Sequence, residues 1–301
     1  MKALKKTIYE IGTITDPRNN PLLKMWKVQI SSGTRPLTQH QHLCFELMMV
    51  NAGSGIYCTK MGQYSMQSGD LFVFPSNEWH CITEVGAKGL TITNLQFDPT
   101  YIGESLPGNA AALSPVNSSF CFHHKENFCH RIEAVHAKPL APLFTKIKEE
   151  LEQQAPGYVL SVKSYLNLFL VTLIRKFDYL DNTSMRSHEH LMHLQLVFSY
   201  IDEHLTENLT LRELADISAL TPTYFSQLFK EIVGVSLWNY ISSKRIDKAV
   251  RLITAEDCNK TMLEIATECG FNNTVNFNKT FKKIMGMSPR EYKNGGFIGI
   301  S

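Results

Sequence analysis

A chain of 301 residues, 44% hydrophobic and 19% charged, is long enough for two domains with cores of their own. A net charge of +2 excludes a polycation, so any affinity for nucleic acid has to be argued from local features. Seven cysteines (44, 58, 81, 121, 129, 258 and 269) form no CxxC pair and no apolar run follows the basic start, which predicts reduced thiols, no secretory signal and a cytoplasmic location.

The first 135 residues are rich in Gly and Pro and carry short apolar runs between turn signals. Phe45–Val50 precedes Asn51-Ala52-Gly53, Asp70–Phe74 precedes Pro75, and Leu90–Phe97 precedes Asp98-Pro99. Short strands at this spacing predict a β-sandwich or barrel over about 20–135. His40, His42, Cys44 and Glu46 alternate, so on a strand all four would face one side. Gly69, Pro75 and His80 follow. The two stretches resemble the cupin barrel motifs, whose metal-binding members take two His and a Glu from the first and a His from the second.

That resemblance implies a ligand set of His40, His42, Glu46 and His80, suited to Fe, Mn, Ni or Zn with open coordination positions. Gly33 sits one position from the expected leading Gly, Asn77 replaces a turn Gly, and Glu84 stands where Asn is usual. The residues equally suit a pocket lining or a hydrogen-bonded framework without metal. The main expectation is therefore no cofactor and a small-molecule effector inside the barrel. Cys121, His123, His124, Cys129 and His130 match no zinc-knuckle spacing and read as surface histidines and half-buried thiols.

Beyond Pro139 the texture becomes helical. Residues 140–155 form one helix. Val162, Tyr165, Leu166, Phe169, Leu170, Leu173, Ile174 and Phe177 then share a face at 3.6-residue spacing, for packing on the barrel or for dimerisation. The longest apolar stretch, Tyr165–Ile174, is interrupted by Asn167 and reads as too short to span a bilayer, so no membrane association is expected. Residues 181–190 are polar and aperiodic and read as a linker.

The remainder reads as all helical. Thr210-x-x-Glu213, Thr261-x-x-Glu264 and Ser288-Pro289-x-Glu291 each match a capping box, and Thr221-Pro222 opens a further helix. An internal repeat sets Leu214-Ala215 over Ile265-Ala266, Phe225–Lys230 over Phe277–Lys282, Gly234-Val235-Ser236 over Gly286-Met287-Ser288, and Tyr240 over Tyr292. Each copy holds a capped helix, a tight turn and a second helix. The apolar stripe of that second helix is Phe225, Leu228, Phe229 and Ile232 in one copy, and Phe277, Phe281 and Ile284 in the other.

The opposite faces carry Thr223, Ser226, Gln227 and Lys230, and Thr274, Val275, Asn278 and Lys279. Small polar, amide and basic side chains of this kind reach base edges and phosphates in a major groove, so both copies read as helix-turn-helix units binding double-stranded DNA. A connecting helix, capped by Ser236 and striped by Ile246, Ala249, Val250 and Ile253, joins them. Residues 191–301 hold twelve Lys+Arg and twelve Asp+Glu, but from residue 244 the balance is ten to six, so positive charge gathers near the second unit.

Ile265-Ala266-x-x-Cys269-Gly270-Phe271, continued by Asn276-Phe277-Asn278-Lys279-x-Phe281-Lys282-Lys283-x-x-Gly286-Met287-Ser288-Pro289-x-x-Tyr292, resembles the C-terminal motif of the AraC/XylS family of bacterial transcription regulators. The resemblance runs from about 191 to 293. It implies an α+β two-domain protein. Residues 1–180 form a cupin-like sensing and dimerisation domain with trailing helices at about 140–180, 181–190 the linker, and 191–301 an all-α double helix-turn-helix domain. It further implies a non-enzymatic homodimer that meets RNA polymerase if it activates, with a sugar as the family's commonest kind of effector. Where the family has Gly in the first unit's turn this chain has Ala219, at a cost of roughly 1 kcal/mol if the position needs positive φ. The rival readings are a metal-dependent cupin enzyme with a DNA-binding tail, a metal-sensing regulator, and a constitutive DNA binder whose barrel only dimerises.

Overall fold

The computed structural model describes residues 6–16, 21–33, 39–76, 78–98, 100–103, 130–177, 187–254 and 259–296. Two compact units emerge: residues 1–36 with 44–185, and residues 37–43 with 186–301. The first holds a seven-stranded antiparallel sheet in the order β1-β2-β6-β3-β5-β7, with β4 paired to β3. Its strands are β1 (Lys6–Thr15), β2 (Pro21–Ile30), β3 (Phe45–Thr59), β4 (Gly62–Gln67), β5 (Leu71–Phe74), β6 (His80–Phe97) and β7 (Arg131–Ile132). The sheet thus begins before residue 20. β1 is an edge strand exposed along Thr7–Glu10, and its weak alternation hides it from the sequence.

Asn51-Ala52-Gly53 is not a turn. β3 runs through it, with register shifts at Val50/Ala52 and Gly53/Gly55, and bends instead of ending. Its first half pairs with β5 and the end of β6, and its second half with β4 and the start of β6. Gly53 (φ +84°) makes the bend possible, because a Cβ there would stand 2.0 Å from the Gly89 carbonyl oxygen. The fold-over brings Tyr57 onto Phe74, ring centroids 4.7 Å apart, and encloses one face of the sheet.

Cross-strand register sorts the two faces. Met25, Leu95, Leu47 and Val73 are in line on one, and Trp26, Asn94, Met48 and Phe72 on the other. The first face joins the core formed with the helices α1 (Thr100–Gly103), α2 (Ala134–Ala137), α3 (Ala141–Gln153) and α4 (Tyr158–Phe177). The helical stripe of the sequence holds: Val162, Leu166, Phe169, Leu170, Leu173 and Ile174 are buried there, with Tyr165 and Phe177 packed at the edge. α4 has 20 residues and is long and apolar enough by composition to cross a membrane, longer than the apolar stretch suggested. Its apolar face is instead buried in the core it shares with α3 and the sheet.

The second unit contains α5 (Ser187–Glu203), α6 (Leu211–Ile217), α7 (Pro222–Val233), α8 (Leu237–Thr254), α9 (Met262–Glu268), α10 (Thr274–Met285) and α11 (Pro289–Glu291), then one π turn over Tyr292–Gly296. α5 begins inside the stretch expected as a linker, while residues 178–186 lie outside the described ones. Ser187-His188-Glu189-His190 carries no apolar periodicity, so the sequence gave no sign of the helix start.

All three capping boxes form, each with the hydroxyl accepting from the N3 amide and the N3 Glu accepting from the cap amide. These bonds hold the carboxyls below the ordinary Glu range. The largest cause is Tyr200 hydroxyl donation for Glu213, the Thr261 backbone amide for Glu264, and the Ser288 hydroxyl for Glu291. Thr221 caps α7, and Ser236 accepts from the Asn239 amide at the start of α8.

Candidate nucleic-acid interface and barrel interior

The two copies of the repeat are alike to the level of ring geometry. Phe225 and Phe229 lie 5.9 Å apart, and Phe229 meets Tyr240 edge-on at 5.5 Å and 73°. Phe277 and Phe281 lie 5.7 Å apart, and Phe281 meets Tyr292 at 5.6 Å and 75°. Each triad locks a recognition helix onto the helix that follows it. α7 and α10 both end on a left-handed glycine, Gly234 (φ 76°) and Gly286 (φ 75°).

Both inter-helix turns are Schellman motifs. In the second unit the Phe271 amide donates to the Ala266 carbonyl and the Gly270 amide to Thr267; in the first, Leu220 donates to Ala215 and Ala219 to Asp216. Ala219 therefore occupies a left-handed position (φ 54°), where the sequence anticipated that Ala is strained.

With their apolar stripes buried, α7 and α10 turn the predicted faces outward. Thr223, Ser226, Gln227 and Lys230 are exposed, as are Val275, Asn278 and Lys279, and Thr274 is half-buried. The Ile232 side chain lies outside the described residues. α10 adds exposed Lys282 and Lys283, so it is the more basic of the two. Val275 is 77% exposed, a bare apolar side chain on a polar face. Ile246, Ala249 and Ile253 of the connector are buried in the second unit's core, and Val250 packs against it. Lys244 pairs with Asp202 at 3.0 Å, and Arg245 donates to the Leu205 and Glu207 carbonyls, so these cations hold the domain together.

The enclosed face of the sheet is polar where it could have been apolar. One cross-strand row runs Lys24, Gln96, Glu46, Phe74, and the next Trp26, Asn94, Met48, Phe72. Gln96 Nε2 donates to Glu46 Oε2 at 3.0 Å, and His80 Nε2 lies 3.7 Å from the same oxygen. His80 Nδ1 is fixed 2.8 Å from the Glu78 carbonyl, and its ring stacks on Phe74 at 4.9 Å. Asn94 is 0% exposed, and among the described residues neither atom of its amide has a hydrogen-bond partner, nor has the Trp26 indole N–H. Burial, and then the charge of Glu46, push the Tyr57 phenol well above its ordinary pKa.

The sequence placed His40, His42, Cys44 and Glu46 on one strand, but β3 starts only at Phe45, and a lone bridge at His40 precedes it. His40 and His42, with ring centroids 5.9 Å apart, belong to the second unit, and Glu46 and His80 to the first. Strand alternation therefore does not align the four as a ligand set. Within the first unit Glu46 Oε2 accepts from Gln96 with His80 beside it, an arrangement that suits a hydrogen-bonded framework and a metal-binding carboxylate alike. His130, expected at the surface, is buried between the Tyr64 hydroxyl (3.3 Å) and Glu78 (3.9 Å), because the Val73 amide donates to its carbonyl and draws it against β5. Cys121, His123, His124 and Cys129 lie outside the described residues. Sequence reasoning missed Trp26, Asn94 and Gln96. Their alternation on β2 and β6 was readable, but which face is enclosed was not.

Two family models match the chain: an AraC-like ligand binding domain over residues 34–170 and a helix-turn-helix domain over 214–295. The chain is similar to the uncharacterized HTH-type transcriptional regulator YobQ of Bacillus subtilis, 37% identical over 102 residues, which are 34% of this chain and only 42% of that protein. It is 21% identical over 260 residues to the HTH-type transcriptional activator RhaS of an Enterobacter species, covering 85% and 87% of the two chains. Crystallised ToxT of Vibrio cholerae with a bound unsaturated fatty acid shares the fold, with a TM-score of 0.59 at 14% identity over 93% of this chain and 96% of that one.

Proposed function

The chain belongs to the AraC-type family of DNA-binding transcription regulators, and we propose that it reads a bipartite duplex site with α7 and α10 under control of an effector held in the barrel. The observation that carries this reading is the matched pair of helix-turn-helix units with exposed polar faces. Gln227, Asn278 and Lys279 suit base edges, Thr223, Ser226, Lys230 and Thr274 suit phosphates and bases, and Val275 suits a thymine methyl.

Selection of sites from a random duplex pool by the full chain tests it. The expected outcome is two enriched blocks about one helical turn apart, as two recognition helices in successive major grooves require. A pool without enrichment defeats the reading. Gln227→Ala and Lys279→Ala are each expected to weaken binding to the selected site by about 1–3 kcal/mol, roughly 5–150-fold in Kd, by titration at fixed salt.

ToxT is described with a fatty acid, but the interior here favours a hydroxylated, sugar-like effector. A hydroxyl can accept from Trp26 N–H and donate to Asn94 Oδ1, whereas an acyl tail leaves both groups unpaired. Asn94→Leu is accordingly expected to leave folding and basal DNA binding intact while abolishing the response to the inducing compound in a screen of sugars and fatty acids. A fatty acid that elicits the same response in both proteins would refute the polar-effector reading.

The protein then works as a cytoplasmic regulator and not as an enzyme, without a resident metal; stoichiometric Fe, Mn, Ni or Zn on elemental analysis of the purified chain would overturn the last point. It acts as a homodimer, in keeping with Leu160 and Leu168 left exposed along α4, and sedimentation at micromolar concentration checks this. Like RhaS by its name, it would act as an activator in contact with RNA polymerase, which transcription in vitro from the selected site measures.

A further inference from the structure

We propose that Cys58 and Cys81 are an oxidisable dithiol in the barrel wall, closing reversibly to a cross-strand disulfide. The two stand directly opposite each other in the ladder of β3 and β6. Opposed residues of an antiparallel pair have Cα atoms about 4.5–5.5 Å apart, inside the roughly 4.4–6.8 Å that disulfides span, so closure needs no change of register. Both are free thiols, and Cys58 stands close enough to help raise the Cys81 thiol. Cys58 Sγ also lies 3.6 Å from the Thr59 carbonyl oxygen, to which it donates.

The two thiols are unequal. Cys58 is half-buried and meets a solvent-borne oxidant first, whereas Cys81 is buried. Burial, with Cys58 beside it, pushes the Cys81 thiol up to about 11, so it stays protonated at neutral pH and makes a poor first target. With a peroxide as oxidant, the Cys58 sulfur takes one peroxide oxygen, becoming a sulfenic acid and releasing the other as water. The Cys81 sulfur then attacks the Cys58 sulfur. The S–S bond forms, the S–O bond breaks, and hydroxide leaves with the Cys81 proton as water. A thiol reductant attacking the more accessible Cys58 sulfur reverses the step.

The bond has somewhere to act. Tyr57 and Ile82 are opposed on one side of the pair, and Thr59 and His80 on the other. Tyr57 and His80 stack on Phe74 within the barrel interior. Oxidation therefore ties together the strand segments that present these two rings to the interior. This inference does not depend on the identity of the effector.

The test treats the full chain with hydrogen peroxide, blocks remaining thiols with iodoacetamide and maps peptides by mass spectrometry before and after dithiothreitol. A Cys58–Cys81 crosslinked peptide that dithiothreitol removes is expected. In Cys81→Ser the sulfenic acid has no partner, so dimedone should label Cys58 there and leave the parent unlabelled. Recovery of both cysteines alkylated, of Cys58 as sulfinic acid beside an alkylated Cys81, or of Cys58 joined to another cysteine overturns the proposal. If Cys81→Ser fails to fold, the peptide map of the parent decides alone.

Discussion

Replacing Asp70 with Ala is expected to destabilise the first unit by about 3–5 kcal/mol, the usual result of removing one partner from a buried ion pair. Asp70 is 1% exposed and joins three segments far apart in the chain. Its Oδ2 accepts from the Gln67 amide at 2.9 Å and from Arg131 Nε at 2.9 Å, and its Oδ1 accepts from the Ala134 amide at 3.0 Å. The carboxylate thus fixes the turn between β4 and β5, holds β7 on the sheet edge and starts α2. Loss of the side chain leaves two amides and a guanidinium without their acceptor. Calorimetry of the full chain should show the affected transition lowered by on the order of 10 °C. Asp70→Asn should fall in between, since its carbonyl oxygen still accepts while its amide group confronts another donor. A midpoint unchanged in Asp70→Ala would mean that the segment beginning at His130 is held by other contacts.

Gly270→Ala should have the next largest effect, and on function as well as stability. At φ +83° a Cβ would meet the Thr206 Cα at 2.7 Å and the Thr206 carbonyl oxygen at 2.8 Å, both backbone atoms that cannot rotate away. Left-handed strain and this collision together are expected to cost about 2–4 kcal/mol. The turn sets the angle at which α10 leaves α9, so binding to the selected site should be lost while the first unit's thermal transition stays in place. The equivalent position of the first helix-turn-helix predicts the opposite sign. Ala219 already pays for its positive φ and is exposed, so Ala219→Gly should stabilise by up to about 1 kcal/mol, less the entropy that glycine gains in the unfolded chain. Thermal unfolding of both variants checks the pair. Equal effects of like sign would show that the two turns are not equivalent.

Such contrasts separate what a sequence specifies from what a fold decides. Within the second unit the determinants are local. A capping box spans four residues, a Schellman turn six, and an amphipathic stripe one helix, so Thr210 with Glu213, the strain at Ala219, and the outward faces of α7 and α10 were all legible in the chain itself. The duplicated Phe-Phe-Tyr triad could be read as a repeat for the same reason. In the first unit the decisive contacts are far apart in the chain: Gln96 with Glu46, Trp26 with Asn94, His130 with Tyr64. Alternation told which residues of a strand share a face, but not which face the fold-over at Gly53 would enclose and which the helices would cover. That choice sets whether Asn94 is a surface amide or a buried one, and whether His40 and His42 share a strand with Glu46. Local hydrogen bonding and periodicity are written residue by residue. The inside of a barrel exists only once strands distant in the chain have paired.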